Sequence, residues 1–213
     1  MKSPDDIATI IAEKVAALAP PKVRNLVAIA GPPASGKSTV AEALQKRLQA
    51  DGVICGLVAM DGYHLDNAIL DARGLRARKG APETFDYAGF ASTVRRLGRD
   101  AEVITSTFDR VRDLSLNASA VVSPEMKTVI VEGNYLLLDE PPWRDLAAQW
   151  TLSVFISADQ KVLEERLIDR WLEHGFDREA ARAKALENDI PNAIRVLNTS
   201  VTSDLKISAS ISD

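Results

Sequence analysis

The sequence predicts an α/β domain built on an open, doubly wound parallel sheet of about five strands with a helical lid. Two observations lead to it. Apolar runs suited to buried strands recur at Asn25–Ala30, 53–59, Thr128–Gly133 and 150–156, with a plausible last strand at 203–208, and helical stretches separate them. The first run leads through Gly31, Pro32, Pro33, Ala34, Ser35, Gly36, Lys37 and Ser38, the pattern G-x-x-x-x-G-K-[ST], directly into Lys37–Ala50. There Val40, Leu44 and Leu48 recur at i, i+4 and i+8, as one face of an amphipathic helix requires.

A glycine-rich loop between a buried strand and a helix is a phosphate cradle. Its backbone N–H groups and the positive end of the helix dipole converge on nucleotide phosphates. In that geometry Lys37 reaches the β and γ oxygens and the Ser38 hydroxyl ligates Mg²⁺. Gly31, Pro32, Ala34, Ser35, Gly36, Lys37, Ser38 and Thr39 are therefore the nucleotide-binding candidates; the competing reading is a glycine-rich turn with no ligand.

The chain has 213 residues and 23.1 kDa, enough for one domain over 1–213 with a full core and too few for two large ones. A net charge of −4 and a pI near 5.3 argue against a nucleic-acid footprint. Local basic clusters, Arg73, Arg76, Arg78 and Lys79 in one place and Arg166 with Arg170 in another, suit a small anionic ligand. No apolar run approaches the roughly 18 residues of a membrane span, and residues 1–10 lack a signal-like stretch, so a cytoplasmic protein without membrane partners is expected. Cys55 is the single cysteine and reads as a small buried hydrophobe. A homodimer is compatible with the sequence but not indicated by it.

Along the chain, Ser3 caps a helix expected to run from Pro4 to about Ala19, and Pro20-Pro21 stops it. The second strand ends in Met60-Asp61-Gly62-Tyr63-His64. Ligands of open parallel sheets bind beyond the carboxyl ends of the strands, so Asp61 is the candidate catalytic carboxylate; a turn aspartate before glycine is the alternative. Residues 65–82 predict a short helix and loop over the site. Asp86 opens a helix to about Arg99. Residues 102–122 predict a hairpin or an irregular excursion with Phe108-Asp109-Arg110 between its arms, where Arg110 either holds an anionic acceptor group or pairs with an aspartate at the surface. Glu132 ends the third strand, where an acid holds Mg²⁺ directly or through water, or else forms a structural ion pair. Residues 159–174 predict a helix presenting Arg166 and Arg170 on one face. They clamp phosphoryl oxygens, or pair with Glu165, Asp169 and Glu173 on a solvated face. A further helix over 177–187 is broken by Asn188-Asp-Ile-Pro-Asn192.

The ordered set GPPASGKST, MDGYH, FDR, VEGNYLLL, RLIDRW and NDIPNA resembles the uridine kinase, pantothenate kinase and phosphoribulokinase group of P-loop kinases, over residues from about 22 to 207. It looks most like the bacterial branch labelled fructose-transport-system kinase or nucleoside/nucleotide kinase-like. The stretch DGYHLDNAILDARGLRARKGAPETFDY carries most of the specificity. The resemblance implies a P-loop NTPase fold, Mg²⁺-ATP as donor and a small-molecule hydroxyl as acceptor. It also implies Asp61 as the residue that activates that hydroxyl or helps hold the metal, Glu132 as the acid near Mg²⁺, and Arg166 with Arg170 as the pair of a lid over about 159–192. Tyr63, His64 and Arg110 are the further acceptor candidates, for a sugar such as fructose, a nucleoside or a pantothenate-like vitamin. A nucleotide-dependent switch or assembly factor is the reading from another class. Neither an N-K-x-D guanine signature nor an L-S-G-G-Q-like transporter signature is present to support it.

Overall fold

The computed structural model describes residues 2–173 and 175–209. Its centre is a five-stranded sheet in the order β2-β5-β1-β6-β7, with every pairing parallel. The strands are β1 (Asn25–Ala30), β2 (Cys55–Ala59), β5 (Thr128–Gly133), β6 (Leu152–Ser157) and β7 (Leu205–Ser208). All six residues of β1 and of β5 are buried, because helices cover both faces of the sheet and leave no polar side.

On one face, α1 (Pro4–Ala16) and α2 (Lys37–Ala50) pack Ile7, Ile11, Val40 and Leu44 against Val27, Ile29 and Ile130. On the other, α4 (Tyr87–Leu97) packs Phe90, Val94 and Leu97 against Ala28, Val129 and Val131, joined by Tyr135 and Trp143. A third cluster, with Leu163, Leu167, Ala185 and Ile190, knits α5 (Gln160–Glu173), the end of the run that follows α6 (Arg178–Lys184), and α7 (Ile190–Thr199) to one another. Between β2 and α4 lies the helix α3 (Asn67–Ala72), and β3 (Val103–Asp109) and β4 (Leu114–Val122) form an antiparallel hairpin outside the main sheet.

Several sequence expectations shift. The first helix ends at Ala16 with Ala17 as its cap, a turn short of Ala19; its start is closed by a reciprocal Ser3–Asp6 capping box. The second strand begins at Cys55 and the fourth at Leu152. Phe108 and Asp109 belong to β3, and only Arg110 sits in the connection between the arms. The expected last residue of the fifth helix, His174, lies outside the described residues.

Residues 188–192 do not break the helical run. Ala185–Asp189 forms a π turn, the Ile190 N–H bonds to the Ala185 carbonyl, and α7 follows. Pro191 is the second residue of α7, and the wider π turn directly ahead of it carries the helical run past the residue that lacks an N–H.

Arg24 anchors the end of the sheet opposite the phosphate loop. It is 6% exposed, and its guanidinium donates to the carbonyls of Leu97, Asp100, Ala101, Ser123 and Met126. One planar fork thereby satisfies the backbone between α4 and β3 and between β4 and β5.

Candidate active site

The phosphate loop leaves β1 at Gly31, where side-chain space is closed. A Cβ there would sit 2.3 Å from the Ile156 carbonyl oxygen and 2.8 Å from Ser35 Oγ. Ala34 and Gly36 take left-handed backbone, φ 62° and 86°, which turns the loop into the start of α2. Ser35 Oγ is buried with no hydrogen-bond partner among the described residues. A concave run of backbone too tight for a Cβ, with an orphaned buried hydroxyl and a helix N-terminus of fourteen residues behind it, suits polyphosphate oxygens.

Glu132 stands beside this loop because β5 is hydrogen-bonded next to β1 and extends as far: Ile29 is level with Glu132 and Ala30 with Gly133. Its carboxylate is 5% exposed and accepts from Ser38 Oγ at 3.1 Å. Burial pushes the Glu132 carboxyl up, Lys37 opposes that and Asp61 adds to it. Burial likewise pulls the Lys37 ammonium down, while Glu132 and Asp61 support its charge and Arg170 and Arg110 work against it. Lys37 and Glu132 thus stand within reach of the charges of Asp61 and Arg110, and Lys37 also of Arg170, at the carboxyl edge of the sheet. Of these, Lys37, Asp61 and Glu132 form the core of the set.

Asp61 comes into the set through the register of β2, in which Ala59 is level with Glu132. A single-turn 3₁₀ segment, Met60–Tyr63, then carries Asp61 over the edge. That turn is fixed by close approaches: a Cβ on Gly62 would lie 2.5 Å from the Ser106 carbonyl oxygen, and one on Gly133 would lie 2.5 Å from Met60 Cβ. His64 Nδ1 lies 2.8 Å from the Asp61 carbonyl oxygen, and its ring packs between Phe85 at 4.1 Å and Phe108 at 4.8 Å. Burial lowers the His64 pKa, so the ring is neutral near pH 7. Tyr63, by contrast, points into the core edge-on to Phe90 at 5.1 Å, with its hydroxyl buried and unpartnered among the described residues. Tyr63 also lines a cleft together with Gly62, His64 and Ser106.

The arginines separate. Arg166 donates to the Ala34 carbonyl at 3.1 Å, which ties α5 to the phosphate loop across 132 positions of sequence. Arg170, one turn on, contributes to the field at Lys37. Asp109 pairs with Arg112 at 2.7 Å, and among the described residues no ion-pair partner of Arg110 appears. The cluster at 73–79 is largely neutralised: Arg76 pairs with Asp71, Arg78 with Glu83 and Lys79 with Asp113, so it is not a free anion site.

Among the described residues no group of three or more His, Cys, Asp or Glu side chains could hold a metal alone. A hydroxyl and one buried carboxylate beside a phosphate cradle fit Mg²⁺, which binds through one or two carboxylates together with substrate phosphates. No helix of the described residues is long and apolar enough to cross a membrane.

A parallel sheet with a phosphate loop at its carboxyl edge, a carboxylate on the neighbouring strand and a helix that sets Arg166 against the loop defines a P-loop phosphotransferase. Residues 26–203 match the phosphoribulokinase / uridine kinase family, and the chain belongs to it. It is a small-molecule kinase. Its similarity to a protein of Silicibacter sp. TM1040, provisionally assigned as a fructose transport system kinase, reaches 43% identity and a TM-score of 0.88, covering 94% of this chain and 98% of that one. The uncharacterised Escherichia coli protein YggC is 38% identical over 188 residues, 87% of this chain and 78% of its own. A provisionally assigned uridine kinase of Schizosaccharomyces pombe is 32% identical over 85% of this chain and 82% of its own length.

Proposed function

We propose that the enzyme transfers the γ-phosphoryl group of ATP to an alcohol of a sugar, with Asp61 as the group that takes the hydroxyl proton. The observation that carries this is the placement of Asp61 in the short turn directly beyond Ala59, which is level with Glu132 beside the phosphate loop. In that arrangement the acceptor oxygen bonds to the γ-phosphorus as its bond to the ADP oxygen breaks, and the hydroxyl proton passes to Asp61 and on to solvent. Lys37 and the loop N–H groups hold the phosphate charge. Arg166, fastened to Ala34, keeps α5 over the loop and so excludes water, with Arg170 and Arg110 facing the transferred group. Ser38 and Glu132 would hold Mg²⁺, which would supply neutralisation of the phosphate oxygens.

Support for a sugar comes from the similarity to the Silicibacter protein and from the cleft behind the Asp61 turn, of about 350 Å³, whose walls include Ser106, Ser115 and Asn117. A nucleoside is the second reading. The observation that favours it is that Tyr63 and His64 line the same cleft and offer ring edges to a base. ADP release from Mg²⁺-ATP, measured against a panel of sugars, nucleosides and pantothenate, tests both. Turnover with a hexose or pentose supports the proposal; turnover confined to nucleosides replaces it with the second reading.

A further inference from the structure

Lys79 lies outside the phosphate loop and touches none of its residues, yet it is the most connected cation at the acceptor side. Its ammonium donates to Asn67 Oδ1 at 2.8 Å and to the Asp113 carbonyl at 2.8 Å, and it pairs with Asp113 Oδ1 at 2.7 Å. Asn67 Nδ2 closes the triangle by donating to Asp113 Oδ2 at 3.2 Å. The Lys79 side chain is 14% exposed, so this contact is shielded far better than the surface pairs of Arg76 and Arg78. Asp113 occupies left-handed backbone, φ 54°, at the tip of the β3–β4 hairpin. Burial alone would raise its carboxyl, but the bonds from Lys79 and Asn67 outweigh that and hold it below its ordinary range. The tip of the hairpin is therefore latched to the start of α3.

Two further contacts make the latch more than a fastening. The Lys79 ammonium lies over the Phe108 ring, 5.5 Å from its centre, and Phe108 packs on His64, whose Nδ1 meets the Asp61 carbonyl. On its backbone side, the Lys79 carbonyl accepts from Asn188 Nδ2 at 2.8 Å, and Asn188 belongs to the π turn between α6 and α7. The next carbonyl, of Gly80, accepts from Tyr135 Oη. Lys79 thus stands between the helices over the phosphate loop and the wall that carries Asp61.

We infer that Lys79 is a positioning residue that couples closure of α5–α7 over the nucleotide to the setting of the hairpin wall, Phe108 and His64, behind Asp61. This rests on the phosphotransferase reading of the site for its purpose, but the coupling is measurable without an acceptor. Hydrogen exchange of the full chain, with and without a non-hydrolysable ATP analogue and Mg²⁺, reads it directly. In the wild type, the analogue slows exchange both at 185–192 and at the hairpin amides 107–114. In Lys79→Met, whose chain keeps the packing against Phe108, the loss of the latch leaves hairpin exchange faster by roughly fivefold, and the analogue protects 185–192 alone. Lys79→Arg restores hairpin protection. Asp113→Asn, which tolerates the left-handed backbone and keeps the bond from Lys79 to its carbonyl, removes the charge from the latch and lowers hairpin protection part of the way toward Lys79→Met. Equal hairpin protection by the analogue in wild type and in either folded variant overturns the inference, as does a wild-type hairpin indifferent to the analogue. Failure of the phosphotransferase reading shows elsewhere, in a wild-type enzyme that releases no ADP with any alcohol.

Discussion

Ser38 Oγ donates to Glu132 Oε2 at 3.1 Å, across 94 positions of sequence, and so joins the first residue after the phosphate-loop lysine to the end of the adjacent strand. The contact sets the side on which a cation would meet the nucleotide phosphates. Glu132→Gln keeps the shape and hydrogen-bonding capacity of the side chain and removes its charge. It is expected to raise the Mg²⁺ concentration for half-maximal turnover and to lower turnover at limiting Mg²⁺ by about 10–100-fold, read from Mg²⁺ titrations at fixed ATP. A titration curve that superposes on wild type removes Glu132 from the metal site.

The tie between Arg166 and the Ala34 carbonyl holds α5 against the phosphate loop. Double replacement of Arg166 and Arg170 by alanine is expected to lower kcat by about 10²-fold or more, because preorganised charge at the transferring group is lost. Circular dichroism of the variant controls for folding. An unchanged kcat rules out the lid role.

Gly62 has no room for a methyl group: a Cβ would come 2.5 Å from the Ser106 carbonyl oxygen and 2.7 Å from its carbon, both backbone. Gly62→Ala therefore forces the Asp61 turn and β3 apart. A loss of about 1–3 kcal/mol by denaturant unfolding is expected, together with reduced turnover. Gly74→Ala is the contrast. Nothing lies within 4 Å of its Cβ position, so its cost comes from its left-handed backbone, φ 65°, alone and leaves turnover intact.

Burial holds the His64 pKa below the 6.5 of a free imidazole, so between that folded value and 6.5 the unfolded chain binds a proton that the native chain does not. Stability contributed by the neutral ring is complete above pH 6.5 and is lost as the pH falls below it, at most about 1.4 kcal/mol per pH unit. His64→Gln keeps a donor and cannot titrate. Unfolding free energies of the two proteins between pH 5 and 7.5 are expected to diverge toward neutral pH and to run parallel above it. A constant difference across the range contradicts a depressed His64.

The sheet was readable in the sequence because its evidence is local. Apolar runs such as NLVAIA and TVIVEG need both faces covered, and GPPASGKS between a run and an amphipathic helix admits one geometry. The contacts that assemble the site were not, because each depends on register between distant segments: Ser38 with Glu132, Arg166 with Ala34, Lys79 with Asp113. The basic cluster at 73–79 looked free in sequence; Arg76 and Arg78 pair with acids five residues away, and only Lys79 takes its acid from a distant segment. Pro191 looked like a breaker, and α7 was missed, because a π turn ahead of it carries the helical run past the proline. Arg24 carried no motif at all; only the carbonyls that converge on it give it a role.

The central claim is that Asp61 serves transfer and not nucleotide binding. Its most direct measurement compares wild type with Asp61→Asn in two assays on the same preparations: equilibrium ATP binding, and ADP release with the best acceptor. ATP affinity is expected to stay close to wild type while transfer falls by about 10²–10⁴-fold. Turnover near wild type in a folded Asp61→Asn enzyme would contradict the account.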